Sequence, residues 1–193
     1  MDDRTPPDEE LLAAIARQDK QAMHLFYVRH SQAVQAFALR RLQDMDDAQD
    51  VVVDTMFEVW RHAGQFKGQS QVRTWVLGIA RHKLLDRNRA KGGLEIQELD
   101  DAVMNTTADL TPGPFAMLVA KQKAEVLLDC MEVLPDVQRE CLHLAFYEEL
   151  SLKEIAQVQA IPMNTVATRI HHAKRKLADC LSRALGGDWR AST

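Results

Sequence analysis

The chain has 193 residues with a formal net charge of −4, and hydrophobic residues make up 46% of it. This composition is ordinary for a globular protein and excludes a collagen-like, disulfide-rich or wholly disordered chain. No apolar run approaches the roughly 20 residues that span a bilayer. The start, Met1-Asp2-Asp3, lacks the basic and apolar regions of a signal peptide. We therefore expect a soluble protein that stays in the cytoplasm.

Four helices are predicted in the first part of the chain, over residues 9–17, 21–42, 47–62 and 72–89, because apolar residues recur there at helical spacing. A break containing two glycines, Gly64 and Gly68, precedes the fourth helix. The residues near the expected buried faces are Leu11, Leu12, Ile15, Leu25, Phe26, Val28, Val34, Phe37, Ala38, Leu42, Val51, Val52, Thr55, Met56, Val59, Trp60, Val72, Trp75, Val76, Ile79 and Ala80.

Residues 92–115 mix acidic, polar and turn-forming residues, which predicts a mobile linker. Beyond it, helices are expected over 118–133 and 135–147, with Pro135 in the first turn of the latter. Ser151 and Glu154 have the spacing of a capping box at the start of the next helix. A turn at 160–162 leads into a long basic helix over 164–185, and this pair predicts a helix-turn-helix. The predicted fold is all-α, with two small helical domains, 8–91 and 116–185, joined by a flexible linker.

The charge is strongly segregated along the chain. Residues 61–91 carry eight basic groups and one acidic group, and residues 161–193 carry six and two. Acidic stretches precede both basic islands, since residues 1–60 have a net charge of −6 and residues 131–160 a net charge of −4. A basic helical island can be merely a solvated face, but two in one small chain, one of them in a helix-turn-helix, favour nucleic-acid binding.

Two segments of the first domain resemble motifs of the extracytoplasmic-function (ECF) group of bacterial sigma factors. DAQDVV at 47–52, followed by Phe57 and Trp60, is similar to the D-A-E-D-x-x-Q-x-x-F-x-x-x-W helix of that family. FKGQS at 66–70, RTW at 73–75 and IAR at 79–81 are together similar to F-R-G-x-S-x-x-R-T-W-L-x-x-I-A-R.

The second domain continues the resemblance in the same order. LP at 134–135, LSLKEIA at 150–156, PMNTV at 162–166 and AKRKL at 173–177 are similar to L-P, L-S-x-x-E-I-A, P-x-G-T-V and A-R-x-x-L. The sequence departs from the usual pattern at Gln49, Asn164, Ala167, Thr168 and His171-His172. A recognition helix reads bases through its particular side chains, so no promoter sequence can be carried over.

The resemblance implies a factor that binds the β′ and β subunits of core RNA polymerase and promoter DNA, and acts without catalytic residues, cofactor, metal or small-molecule substrate. It implies that the helix at 47–60 docks on β′. The expected polymerase contacts are Asp47, Asp50, Val51, Asp54, Phe57 and Glu58. Apolar positions on that helix have a second interpretation, because Val51, Phe57 and Trp60 could instead belong to the core of the domain.

The resemblance also assigns DNA contacts to both basic islands. The −10 element would meet the loop and the fourth helix, at Phe66, Lys67, Gln69, Ser70, Arg73, Arg81, Lys83 and Arg87. For Trp75, helical period and family position favour the core over stacking on a base. The −35 element would meet the last helix, with Thr165, Thr168, Arg169 and His172 reading bases and Lys174, Arg175 and Lys176 binding phosphates.

The three cysteines of the chain offer no sign of a metal site. Cys130, Cys141 and Cys180 have no metal-binding spacing and are expected to be buried thiols, and Cys141 with His143 offers too few ligands for a metal.

The rival functions are a stand-alone helix-turn-helix regulator, which would bind duplex DNA tightly without polymerase, and a helical adaptor that binds only protein. Sigma factors of this group are commonly held by an anti-sigma protein, often at the inner membrane, which the resemblance also implies.

Overall fold

A computed structural model describes residues 6–90 and 121–185 of the chain. The first range contains α1 (Asp8–Ile15), α2 (Lys20–Leu42), α3 (Met45–His62), a 3-10 turn (Ala63–Gln65) and α4 (Val72–Ala90). The second contains α5 (Lys121–Glu132), α6 (Asp136–Phe146), α7 (Leu152–Gln159) and α8 (Met163–Leu185). All regular structure in these ranges is helical, so the fold is all-α as predicted. The expected linker at 92–115 lies outside the described residues.

The α1–α4 helices form one compact unit. Helix α2 packs against the other three, and α3 packs against α4. The N-terminus of α2 is capped by Asp19, whose Oδ1 accepts hydrogen bonds from the backbone N–H groups of Gln21 and Ala22 at 2.8 and 3.1 Å. Such a cap satisfies donors that have no partner within the helix. The cap therefore fixes where the longest helix of this unit begins.

The core of the α1–α4 unit matches most of the predicted buried face. Phe26, Val34 and Val59 are fully buried, as expected from their helical spacing. Leu25 and Val28 differ from the prediction and are exposed, because α2 turns only one face toward its neighbours. The prediction also missed Thr74, Leu77 and Leu84, which are buried on α4. Trp75 and Ile79 are half-buried at the edge of the packed face.

The second compact unit is built from α5, α6, α8 and most of α7. Helix α8 packs against both α5 and α6. Its predicted apolar stripe, Val166, Ile170, Ala173, Leu177 and Leu181, is entirely buried, and the period of that stripe is that of an amphipathic helix. The apolar stripe therefore accounts for the position of the longest helix in this unit.

Two cysteines form a disulfide that the sequence did not reveal. Cys130 on α5 and Cys180 on α8 are bonded, with their Cα atoms 5.8 Å apart. The expectation of three buried thiols is thus wrong for this pair and correct only for Cys141, which lies buried outside the disulfide. The two residues are separated by 50 positions. Only the packing of α5 on α8 brings them together, and their spacing carries no sign of it.

Within residues 6–90 and 121–185, no helix has both the length and the hydropathy to cross a membrane.

Candidate nucleic-acid interface

Ion pairs run along the line where α3 meets α4. The Arg87 guanidinium donates from Nε to Asp47 Oδ1 at 3.0 Å and from Nη2 to Asp50 Oδ2. Its Nη1 lies 4.0 Å from Asp54 Oδ2. The hydrogen bond to Asp47 is the largest influence that raises the pKa of Arg87 above its usual value. One cation of α4 is therefore shared by three carboxylates of α3.

The same line of charge continues one turn along both helices. Lys83 Nζ donates to Glu58 Oε1 at 2.7 Å, and Glu58 Oε2 lies 3.1 Å from His62 Nε2. The hydrogen bond from Lys83 holds the pKa of Glu58 below its usual value. We call this set the α3–α4 charge seam: Asp47, Asp50, Asp54 and Glu58 on α3, with Lys83 and Arg87 on α4. The resemblance had assigned the acidic residues of this set to polymerase and the basic residues to DNA. The structure pairs the acidic and the basic residues with each other.

The outer face of α3 is a stripe of exposed residues spaced three and four apart: Asp50, Val53, Asp54 and Phe57. Phe57 is 57% exposed, with the Arg61 guanidinium 5.7 Å from its ring centroid. Val51 differs from the predicted contacts because its side chain is 0% exposed and belongs to the core. Val53 was missed, although its helical spacing from Asp50 and Phe57 could have indicated it. The stripe combines negative charge with exposed apolar surface.

The loop between α3 and α4 presents polar side chains around a half-buried aromatic pair. Lys67 and Gln69 are exposed, while Phe66 and Ser70 are half-buried. The Phe66 ring lies 5.5 Å, centroid to centroid, from the ring of half-buried Trp75. Phe66 is therefore placed by packing on Trp75.

An open groove of about 330 Å³ lies beside this loop. It is lined by Glu58, His62, Gln65, Trp75, Ile79, His82 and Lys83. Sequence reasoning missed His62, Gln65 and His82 as possible site residues, since they stand outside the quoted motifs. The groove offers one aromatic wall and several polar groups. Those are the features that hold an unstacked base.

The rest of the basic surface of α4 surrounds this region. Arg73 is exposed and Arg81 is half-buried, as is suitable for residues that meet a phosphate backbone. Arg89, near the end of the helix, donates to Asp86 at 2.6 Å. The predicted basic residues thus differ in how far they are exposed to solvent.

The predicted helix-turn-helix is present in α7 and α8. Its start is the predicted capping box: the Ser151 backbone N–H donates to Glu154 Oε2 at 2.9 Å, and the Glu154 N–H points to Ser151 Oγ at 3.4 Å. Between the helices, Ala160 has a φ of 55°, in the left-handed region. Both features are local, so they define the ends of α7 and the turn into α8.

Helix α8 exposes only some of the residues predicted to contact DNA. Lys174, Arg175 and Lys176 are exposed, and Thr165 and His172 are half-buried. Thr168 and Arg169 are 1% and 3% exposed, which differs from the expectation that they read bases. The Thr168 hydroxyl donates instead to the Asn164 carbonyl oxygen at 3.0 Å, one turn back. Asn164 is exposed at the start of α8 and was not proposed as a base contact.

Comparison with known families identifies both halves of the chain. The family model "Sigma-70 region 2" matches residues 26–93, and "Sigma-70, region 4" matches residues 124–177. Two curated relatives are sigma factors named "ECF RNA polymerase sigma factor SigK". That of Mycobacterium tuberculosis strain H37Rv is 27% identical over 180 residues, covering 90% of this chain and 92% of the relative. That of Mycobacterium ulcerans is 29% identical over 173 residues, covering 89% and 91%.

Solved structures share the fold. The sigma factor RpoE of Bartonella quintana, solved with the anti-sigma factor NepR, aligns with a TM-score of 0.59 and 22% identity, covering 80% of this chain and 93% of that one. CnrH, solved with the cytosolic domain of CnrY, aligns with a TM-score of 0.62 and 22% identity, covering 91% and 97%. Regions 2 and 4 in this order define a sigma-type initiation factor. The chain belongs to the sigma-70 family of RNA polymerase sigma factors, in its ECF group.

As a sigma factor, the protein binds core RNA polymerase and promoter DNA and directs transcription initiation. Sigma factors as a class are initiation factors without enzymatic chemistry of their own.

Proposed function

We propose that residues 8–91 of this sigma factor bind core polymerase and the −10 element, and that residues 116–185 bind the −35 element. Residues 92–115 would serve as the linker. The observation that carries the proposal is that regions 2 and 4 occur in one chain, each with an exposed basic surface. A stand-alone regulator would have no use for region 2, and an adaptor would have no use for either basic surface.

The outer face of α3 is the proposed contact with the β′ subunit. Asp50 and Asp54 supply carboxylates to a basic partner, while Val53 and Phe57 supply apolar area that is buried on docking. A large exposed aromatic ring is a typical anchor of protein interfaces. Val51 contributes from beneath by holding α3 in the core.

The −10 element is proposed to contact the 66–71 loop, the groove beside it and the basic side of α4. An unpaired base exposed in the opened duplex would enter the groove beside Trp75, and the polar loop residues Gln69 and Ser70 would contact its edge. Lys67, Arg73 and Arg81 would follow the phosphate backbone. Opening of the duplex supplies the unpaired bases that this region could capture.

The −35 element is proposed to meet the first turns of α8 in its major groove. Thr165 and His172 remain base-contact candidates, and exposed Asn164 joins them because its amide can pair with the edge of adenine. Lys174, Arg175 and Lys176 would bind phosphates and position the helix without reading sequence. Specificity and affinity would thus come from different turns of α8.

An anti-sigma factor is the proposed regulator, because the similar structures of RpoE and CnrH were solved with NepR and with the cytosolic domain of CnrY. We place the protein in the cytoplasm, where core polymerase and promoter DNA are found, and we propose no catalytic role for it. A membrane-anchored inhibitor would control access to the α3 outer face or to the DNA surfaces from outside this chain.

In vitro transcription tests the proposed function. Purified protein, core polymerase and a pool of genomic fragments are combined, and the start sites are sequenced. We expect starts that share two spaced upstream elements and that require both protein and core. Folded, inhibitor-free protein that yields no core-dependent starts, yet binds duplex DNA tightly alone, would move the assignment to a stand-alone regulator.

A further inference from the structure

The first two turns of α8 leave few side chains available to a DNA groove. Residues 166–170 are buried and Thr165 is half-buried, whereas Met163 and Asn164 are exposed. The Pro162 carbonyl oxygen accepts a hydrogen bond from the Thr165 N–H at 3.0 Å, so the helix begins directly at Met163. A recognition helix contacts base edges with its N-terminal residues. Sequence reading by α8 therefore depends largely on this exposed pair.

Both residues lie on the face of α8 that carries the proposed phosphate contacts. Lys174 follows Met163 by eleven residues, which is about three full turns of an α-helix. Arg175 follows Asn164 by the same distance. All four side chains are exposed. A duplex held by Lys174 and Arg175 therefore also faces Met163 and Asn164.

Met163 is a large apolar side chain on a face that is otherwise polar and basic. It is 51% exposed, and its thioether sulfur is only a weak hydrogen-bond acceptor. The 5-methyl group of thymine is the apolar feature that base pairs present in the major groove. A methionine side chain is flexible and polarisable, so it can adapt its shape to such a group. The base that suits Met163 is thus thymine.

We infer that Met163 is a specificity-determining residue, which packs against the 5-methyl group of a thymine in the −35 element. The inference rests on the proposed function, which places the first turns of α8 in the major groove of that element. Asn164 selects adenine through hydrogen bonds, and Met163 selects a nearby thymine through apolar contact. Two adjacent residues of α8 thus read the element by different chemistry.

Removal of the thymine methyl group tests this contact directly. Holoenzyme, formed from the full chain and core polymerase, is titrated against fluorescent duplex promoter fragments identified by the transcription assay. Each thymine of the −35 element, on either strand, is replaced in turn by deoxyuridine. We expect one of these replacements to weaken wild-type binding about three- to fivefold, because it removes one buried methyl group.

Variants of Met163 assign the methyl preference to this side chain. Met163→Ala should weaken binding to the thymine fragment about three- to fivefold and should bind the thymine and deoxyuridine fragments equally. Met163→Leu keeps an apolar side chain and should keep the preference for thymine. A role of Met163 in the stability of α8 alone would not change the ratio of the two affinities.

Met45→Ala is the matched control. Met45 lies on α3, outside the proposed DNA surfaces, and is 55% exposed. Holoenzyme containing Met45→Ala should prefer thymine over deoxyuridine as strongly as the wild type does. Thermal unfolding establishes that each variant is folded.

The outcomes separate this contact from the proposed function. A −35 element without thymine, or one at which no deoxyuridine weakens wild-type binding, would overturn the inference, as would a methyl preference that persists in Met163→Ala. Loss of affinity for core polymerase in Met163→Ala, with the methyl preference intact, would assign the residue to a protein interface instead. A wild type without core-dependent transcription would contradict the proposed function and the inference with it, whereas an active wild type without methyl preference would contradict the contact of Met163 alone.

Discussion

The two units of this sigma factor join neighbouring helices by different chemistry. In the first, α3 and α4 are bridged by ion pairs whose members also lie on the proposed binding surfaces. In the second, α5 and α8 are bridged by the disulfide between Cys130 and Cys180, a covalent bond in which the proposed phosphate-binding residues take no part, although Lys176 lines a pocket with both cysteines. Ion pairs are easily exchanged for other charged partners and a covalent bond is not. We therefore expect the first unit to respond to its partners and the second to respond to reductant.

The proposed phosphate-binding residues of the two units also differ in whether a carboxylate of the protein is paired with them. Within the part of the chain that the structure describes, Lys174, Arg175 and Lys176 have no carboxylate at ion-pair distance, and Lys174 lies 5.4 Å from the ring centroid of Phe146. Lys83 and Arg87 are both paired with carboxylates. Phosphate binding by α8 thus requires no ion pair to be broken, whereas phosphate binding by Arg87 does.

The largest expected effect is the loss of stability when the disulfide of the second unit is removed. Replacing Cys130 and Cys180 with serine should lower the free energy of unfolding of the oxidised protein by about 2–4 kcal/mol, because the disulfide closes a long loop in the unfolded chain. Urea denaturation with and without dithiothreitol measures it. Reductant should lower the wild-type midpoint and leave the serine variant unchanged, and a wild-type midpoint insensitive to reductant would contradict the prediction.

The next effect concerns the exposed aromatic ring of α3. Phe57→Ala should weaken binding to core polymerase about tenfold, since truncating an anchor ring at an interface costs roughly 1–2 kcal/mol. Competition against a labelled sigma factor for core polymerase measures the affinity. Stability should barely change, because Phe57 is mostly exposed in the free protein. Val28→Ala, an equally exposed apolar truncation on α2, is the control; equal losses from both variants would remove Phe57 as an anchor.

A smaller effect concerns the cap that begins α7. Ser151→Ala removes the hydroxyl that faces the Glu154 N–H, and it should cost about 1 kcal/mol of stability. Chemical denaturation measures this change. Ser182→Ala provides the control, because Ser182 Oγ donates to a carbonyl within α8 and caps no helix start. A Ser151→Ala variant as stable as the wild type would show that the capping box contributes nothing here.

Local features of this fold were predictable from sequence, and contacts between distant residues were not. The Ser151–Glu154 cap was correct because both partners lie within one turn of the chain. The ion pair of Arg87 with Asp47 and the Cys130–Cys180 disulfide join residues 40 and 50 positions apart, and only helix packing brings them together. Helical period placed Val51 on an inward face but could not decide between core and interface. It gave no sign that Thr168 and Arg169 are buried.

The smallest expected effect is the pH-dependent stability that the Lys83–Glu58 ion pair contributes to the first unit. The pKa of Glu58 is lowered, chiefly by the hydrogen bond from Lys83, so the folded state favours the charged carboxylate more than the unfolded state does. The stability that the ion pair contributes is fully present above the unfolded pKa of about 4.5, and it is lost as pH falls through the lower folded pKa.

Lys83→Gln should therefore cost about 0.2–1 kcal/mol at pH 7, as expected for a partly exposed ion pair, and progressively less as the solution is acidified. Urea midpoints at neutral and acid pH measure the difference, with Lys67→Gln in the exposed loop as the charge-matched control. A deficit that does not shrink in acid would mean that Lys83 stabilises the unit through the packing of its alkyl chain, and the seam would then contribute no charge-dependent stability at this position.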